Sequence, residues 1–264
     1  MNKRIIALFF LAVLVGCARV PFTGRRQVKL IPSQELHSLA VESYRDFMNQ
    51  HKLSDNSQQV AMVRDAGDRI SKAVEQYARD HGLKDRVEGY EWEFNLIESD
   101  QMNAFAMPGG KVAFYTGIMP VCKNESGVAV VMAHEIAHVI ARHGNERMSQ
   151  QLIAQMGGMA LALALEEEPQ RTREIFMAAY GIGATVGVIL PYSRLHESEA
   201  DKIGQYFMAM AGYHPSEAIA FWERMQAMSE GAQPPQFIST HPSHETRIQK
   251  LRDNLSGAMK YYNP

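Results

Sequence analysis

"AHEIAHVIARHG", residues 133–144, sets three histidines and one glutamate into a stretch otherwise made largely of Ala, Ile and Val. Such a stretch reads as a helix built for burial, where titratable side chains are costly unless something binds them. On a helix, His134 and His138 stand one turn apart on the same face, so both imidazoles can reach a single Zn²⁺. Glu135 is rotated by about 100° from His134, which aims it at a water beside the metal rather than at the metal. A carboxylate so placed can take a proton from an activated water and pass it to a leaving amine, which is equipment for peptide hydrolysis. His143 lies about 140° further round the helix than His138 and faces elsewhere, so it reads as a packing or surface histidine.

Two histidines leave a zinc site short of a protein ligand, and "SRLHESEADKIG", residues 193–204, offers candidates. Glu197 and Asp201 fall at i and i+4 on one helical face, whereas Glu199 points about 200° away from Glu197. Gly204 is nearly in line with them, where the lack of a side chain lets two helices approach closely. Taken alone, the same stretch fits a solvated acidic helix start equally well.

The chain around these motifs has 264 residues, 46% hydrophobic and 21% charged, a composition that supports one folded domain with a core. Its net charge of −2 lacks the basic excess of a nucleic-acid binder, so nucleic acid is excluded as a partner. At the N-terminus, "MNKRIIALFFLAVLVGCARV" places Lys3 and Arg4 before an apolar run from Ile5 to Val15. That run is shorter than the roughly 20 apolar residues of a membrane span and suits a secretory signal over residues 1–16. Leu14-Val15-Gly16-Cys17 resembles a bacterial lipobox, which implies cleavage before Cys17 and lipid on its sulfur. Ala18, rather than aspartate, then points to the outer membrane, facing the periplasm. With Cys17 lipidated, Cys122 has no partner for an intrachain disulfide and reads as a small buried hydrophobe.

Residues 17–32 carry Arg19, Arg25, Arg26 and Lys29 among Pro and Gly, and read as a tether at the membrane surface. From Ser33 on, two helices with apolar stripes precede "YEWEFNL", residues 90–96, whose alternation is that of a strand with one wet face. A second extended stretch, "MNAFAMPGGKVAFYTG", is broken by Pro108-Gly109-Gly110, a turn signal. With no helix between these strands, a small antiparallel sheet is expected. Helical periodicity resumes from Glu125 to about Leu152. Two apolar helical segments, residues 152–168 and 173–190, are expected to wrap the core. The tail offers a helix around Phe221, Trp222 and Met225, the loop "PPQFISTHPSHET", and a last helix with Ile248, Leu251 and Leu255.

HExxH on one helix and ExxxD on a later one, together with "VPFTGRRQVKLIP", "NAFAMPGG", "LPYSRLHESEAD" and "STHPSHETRI", resemble the M48 family of zinc metalloproteases, in particular its short bacterial lipoproteins. The resemblance implies an α+β, predominantly helical, zincin-like domain with a small antiparallel sheet over residues 33–264. It implies one Zn²⁺ per chain, ligated by His134, His138 and Glu197, with Glu135 as general base. Asp201 would support the site by hydrogen-bonding a ligand histidine and fixing its tautomer. Asn103, Ala104 and Phe105 would form an edge strand to which an extended peptide adds through its main chain. His241 has three open roles: stabilising the oxyanion, occupying the fourth zinc position as a latch, or capping its loop. Arg194 would pair with the carboxylates or aid the oxyanion. Some members carry a helical-repeat domain; the sequence runs to Pro264 without one, so docking through repeats is not expected. The implied activity is a metalloendopeptidase acting on unfolded or misassembled envelope proteins, held to the membrane by its lipid anchor. The alternative is a lipoprotein chaperone or assembly factor that holds strands of outer-membrane proteins, with the outer-membrane assembly machinery as a partner and with latent or weak proteolysis.

Overall fold

The computed structural model describes residues 17–184, 190–229, 237, 241 and 246–264, so the expected signal segment, residues 1–16, lies outside the described residues. The chain divides into two compact units, Gln34–Ala141 with Glu197–Pro264, and Met1–Ser33 with Arg142–His196.

The larger unit is built on helices and a three-stranded sheet. Helix α1 (Ser33–Asn49) buries Tyr44, whose hydroxyl donates to the Val112 carbonyl at 2.9 Å. Helix α2 (Ser57–Asp80) is capped by Asn56, which accepts from the Gln59 amide, and buries Val63, Ala66, Gly67, Ile70, Val74 and Ala78 along one face. These spacings of three and four residues are the stripe the sequence shows. Strands β3 (Glu93–Ile97), β4 (Ala104–Met107) and β5 (Lys111–Tyr115) follow the hairpin β1 (Cys17–Arg19) and β2 (Arg26–Val28) of the smaller unit. Phe94 and Leu96 of β3 are buried while Glu93 is exposed, as the alternation requires. The turn between β4 and β5 places Gly109 and Gly110 at φ 93° and 81°, a region that glycine enters without a Cβ clash.

The α+β, mostly helical class stands, but the sheet order β3-β5-β4 modifies the antiparallel expectation. Strand β4 pairs with β5 antiparallel, whereas β3 pairs with β5 parallel. After β3 the chain crosses to the far edge, runs back as β4, and returns as β5 into the gap between them. A crossing segment can do this without a helix, and β4 is left at the sheet edge.

Four-residue helix α3 (Met119–Cys122) leads to α4 (Glu125–Ile140), whose Asn124 cap accepts from the Gly127 amide. Nearly every residue of α4 is buried, and it packs against α2 and β4. Cys122 is fully buried and burial pushes its thiol up to about 12, which makes it an inert packing group. The helix expected from Glu125 to about Leu152 breaks at Arg142, which sits in the left-handed region at φ 59°, and α5 (His143–Ala164) begins beyond it. Helices α6 (Gln170–Ala184), α7 (Leu190–Met210), α8 (Glu217–Ser229) and α9 (Arg247–Ala258) complete the described helices.

In the smaller unit, the segment expected to be a tether carries the β1–β2 hairpin, with Val20 and Gln27 buried. The carboxylate of buried Glu146 on α5 accepts from both Arg25 terminal nitrogens, at 2.9 Å on Oε1 and 2.7 Å on Oε2, and His196 Nε2 lies 2.9 Å from the same Oε2. His143 is buried and stacks on His196 with centroids 4.3 Å apart, so it is a packing histidine. Where they are described, the two apolar segments do not wrap a core, and residues 185–189 of the second lie outside the described residues. Met159 is 61% exposed, Leu163 72% and Ile175 61%. Their composition fits burial, but beyond each other α5 and α6 offer these side chains no covering surface among the described residues. No described helix is long and apolar enough to cross a membrane.

Candidate metal centre

The buried helix α4 presents His134, Glu135 and His138, and α7 presents Glu197 and Asp201. The two helices meet at Gly204, where an added Cβ would stand 3.2 Å from the His134 amide nitrogen. That close approach is what brings Glu197 to the histidines, and it fulfils the reading of Gly204 as a contact point.

His134, His138, Glu197 and His241 each offer a ligand atom, all within 4.8 Å of one another. His134 Nε2 is 3.1 Å from His138 Nε2, 3.2 Å from His241 Nδ1 and 3.3 Å from Glu197 Oε2. His241 Nδ1 lies 3.2 Å from the same Glu197 oxygen. One imidazole nitrogen cannot hydrogen-bond three partners at once, so this convergence is not that of a hydrogen-bond network. For tetrahedral zinc with bonds of about 2.0–2.1 Å, neighbouring ligand atoms stand about 3.3 Å apart. The residues present therefore fit Zn²⁺.

His134 Nδ1 is 3.0 Å from Asp201 Oδ1, so Asp201 is placed to hold the ring with Nε2 turned toward the cluster. Burial opposes charge on His134, but bonding to Asp201 and Glu197 overrides it and raises the imidazole to about 9. Burial works against Glu197 ionising as well, yet His138, His134 and His241 hold its carboxyl well below the usual range. Asp201 is lowered in spite of burial, first by Arg247 and then by His134. Glu135 is the exception, since burial raises it, and its Oε1 lies 3.3 Å from His241 Nε2. A buried carboxyl with a raised proton affinity suits a general base.

Arg247 is the residue that sequence reasoning missed. Its guanidinium lies 2.7 Å from Asp201 Oδ1 and 3.5 Å from Glu197 Oε2, donates to the His241 carbonyl at 3.3 Å, and sits over the Trp222 ring at 3.2 Å. Phe237 stacks on His241 with centroids 4.5 Å apart. The signal for Arg247 was weak: an arginine at the head of a polar helix looks like surface. Arg194 is exposed, and the arginine seen beside the carboxylates among the described residues is Arg247. Glu199 is buried like Glu197 but stands apart from the ligand cluster.

Asn103 and the first residues of β4 lie where the edge strand was expected. The Asn103 carbonyl accepts from the Tyr115 amide at 3.1 Å, and Ala104 and Phe105 pair with Phe114 and Ala113. Because β4 pairs only with β5 among the described residues, its outer edge can accept another strand.

The model of peptidase family M48 matches residues 66–255. The mitochondrial metalloendopeptidase OMA1 of Schizosaccharomyces pombe is 32% identical over 241 residues, 90% of this chain and 66% of that protein. Its Saccharomyces cerevisiae namesake is 33% identical over 199 residues, 72% of this chain and 55% of its own length. The beta-barrel assembly-enhancing protease of Escherichia coli is 32% identical over 173 residues, covering 62% of this chain and 34% of that one. The chain thus spans less than two thirds of each of these relatives.

Proposed function

The chain belongs to peptidase family M48, and on that footing we propose that it is a zinc-dependent endopeptidase of the cell envelope, acting on unfolded or misassembled proteins. The observation that carries the reading is the convergence of His134, His138 and Glu197 with Glu135 beside them. Bound there, Zn²⁺ supplies Lewis acidity that activates water at neutral pH. Glu135 takes the proton of the attacking water and delivers it to the departing amine. Asp201 and Arg247 keep His134 and Glu197 oriented, and Trp222 and Phe237 pack against the His134 ring. The edge of β4 holds an extended peptide through its main chain, so cleavage tolerates many sequences and requires unfolded ones.

His241 is assigned the latch role among its three. A catalytic zinc keeps an open position, whereas His241 brings a fourth candidate ligand atom to within 4.8 Å of those of His134, His138 and Glu197 and would fill that position. His241 must leave that corner before substrate and water can enter, and the enzyme rests latent until it does.

The lipobox at Leu14–Cys17 supports secretion and lipidation of Cys17, with the protein held at the outer membrane and facing the periplasm. The Escherichia coli relative is named for beta-barrel assembly, and substrates among outer-membrane proteins are the corresponding proposal. Turnover separates this from a binding module: the zinc-loaded chain should cleave unfolded casein, and binding without cleavage under any condition would favour the module.

A further inference from the structure

The feature that the catalytic reading leaves unused is the α5–α6 hairpin. From Met148 to Leu165 the sequence carries no charged residue. Met148, Leu152, Met156, Met159 and Leu163 are all exposed, and their spacing of three and four residues puts them on one helical face. That stripe is about 22 Å long at 1.5 Å per residue. Ile175 and Phe176 of α6 add exposed apolar surface. The two helices are held to each other: Tyr180 donates to the Ala154 carbonyl at 2.7 Å, beside Gly157, which leaves room for the ring. The hairpin is therefore a defined element with one greasy side, and a patch of this kind marks an interaction surface.

The geometry points to a lipid leaflet as its occupant. The inference rests on the proposed lipidation of Cys17, and the fold of the smaller unit supplies the connection. Cys17 pairs with Val28 across the β1–β2 ladder, and two residues on, the Leu30 amide donates to Ser149 Oγ at 2.9 Å. The Ile31 carbonyl accepts from Asn145. By strand spacing and rise, that path brings the Cys17 backbone within about 15 Å of Ser149. Met148, the first residue of the stripe, is its neighbour. Acyl chains on Cys17 thus enter the bilayer where the stripe begins.

The hairpin lies along the surface rather than across it. Neither helix is long and apolar enough to span. Its tip bears Glu166, Glu167 and Glu168, all exposed, and driving three carboxylates into hydrocarbon tip-first is prohibitively costly. The stripe itself is uncharged and inserts as an apolar face, while exposed Arg147, Arg171 and Arg173 flank it. The lipid on Cys17 and the apolar helix face then enter the same leaflet side by side and fix how the smaller unit lies on it.

The test uses the chain from residue 17 onward with Cys17→Ser, so that no lipid is attached, floated with vesicles of phosphatidylcholine and phosphatidylethanolamine. It is expected to float on these vesicles and to stay bound at high salt. Replacing Leu152, Met159 and Leu163 together by Ser should lower the bound fraction at least about 10-fold, with helicity and casein cleavage kept. Failure of the unlipidated chain to float, or equal flotation of the triple variant, would overturn the inference. So would a dimer that the triple variant dissolves and that ignores vesicles, since a second copy would then cover the stripe. Lipid on Cys17 is read separately by the mass of the N-terminal peptide from native membranes, so loss of either reading is visible without the other.

Discussion

Arg247→Met removes a guanidinium that faces both Asp201 and Glu197, at 2.7 and 3.5 Å, while keeping apolar bulk over Trp222. Both carboxylates are buried, at 8% and 4% exposure, so they cannot recover the lost interaction from water. Removing one partner of a buried ion pair costs about 3–5 kcal/mol, chiefly through the charge left behind. At about 2–4 °C per kcal/mol for a chain of this size, the metal-free variant should melt about 6–20 °C below the parent. Zinc changes the comparison, because a dication on Glu197 replaces much of what the guanidinium supplied. In zinc-loaded protein the deficit should therefore shrink to less than half. Calorimetry of stripped and zinc-loaded forms of both proteins reads all four states. A metal-free variant within about 1 kcal/mol of the parent would refute the view that Arg247 balances these carboxylates.

Three further outcomes follow from the same geometry. His241→Ala should raise casein turnover at least about 10-fold by opening the fourth corner; a fall in initial rate would instead mark His241 as an oxyanion stabiliser. Glu197→Ala should abolish zinc stoichiometry in the purified protein and Glu199→Ala should preserve it, and the reverse pattern would mean that the ligand is the other glutamate. Glu146 is pulled down to about 2 in spite of burial, by its bonds to Arg25 and His196, from an ordinary 4.5. A lowered folded pKa gives stability that is complete above about pH 4.5 and disappears as pH falls through about 2. Urea unfolding should show Glu146→Gln less stable by up to about 3 kcal/mol at neutral pH, with the difference vanishing toward pH 2.

What could be read before folding was whatever local periodicity encodes. The spacing of His134, Glu135 and His138 on a helix, the Glu197–Asp201 face and the role of Gly204 all follow from helical geometry, and all are seen in the fold. The misread features depend on what the chain meets in space. Nothing local marks Arg142 as left-handed, because a non-glycine residue enters that region only when its surroundings compensate. The parallel pairing of β3 with β5 arises from a crossing that strand patterns do not record. Arg247 looked like surface because its burial is created by α7, α8 and the His241 segment together. The apolar α5–α6 segments signalled burial correctly in chemistry but not in partner, since no protein surface covers them among the described residues.

The most direct test of the central claim, a zinc site with Glu135 as its base, is zinc content measured beside casein cleavage for the parent and Glu135→Gln. The expected result is about one zinc per chain in both proteins and a rate at least about 100-fold lower in the variant. Equal cleavage by the two metal-loaded proteins, or a parent that cleaves fully without zinc, would contradict it.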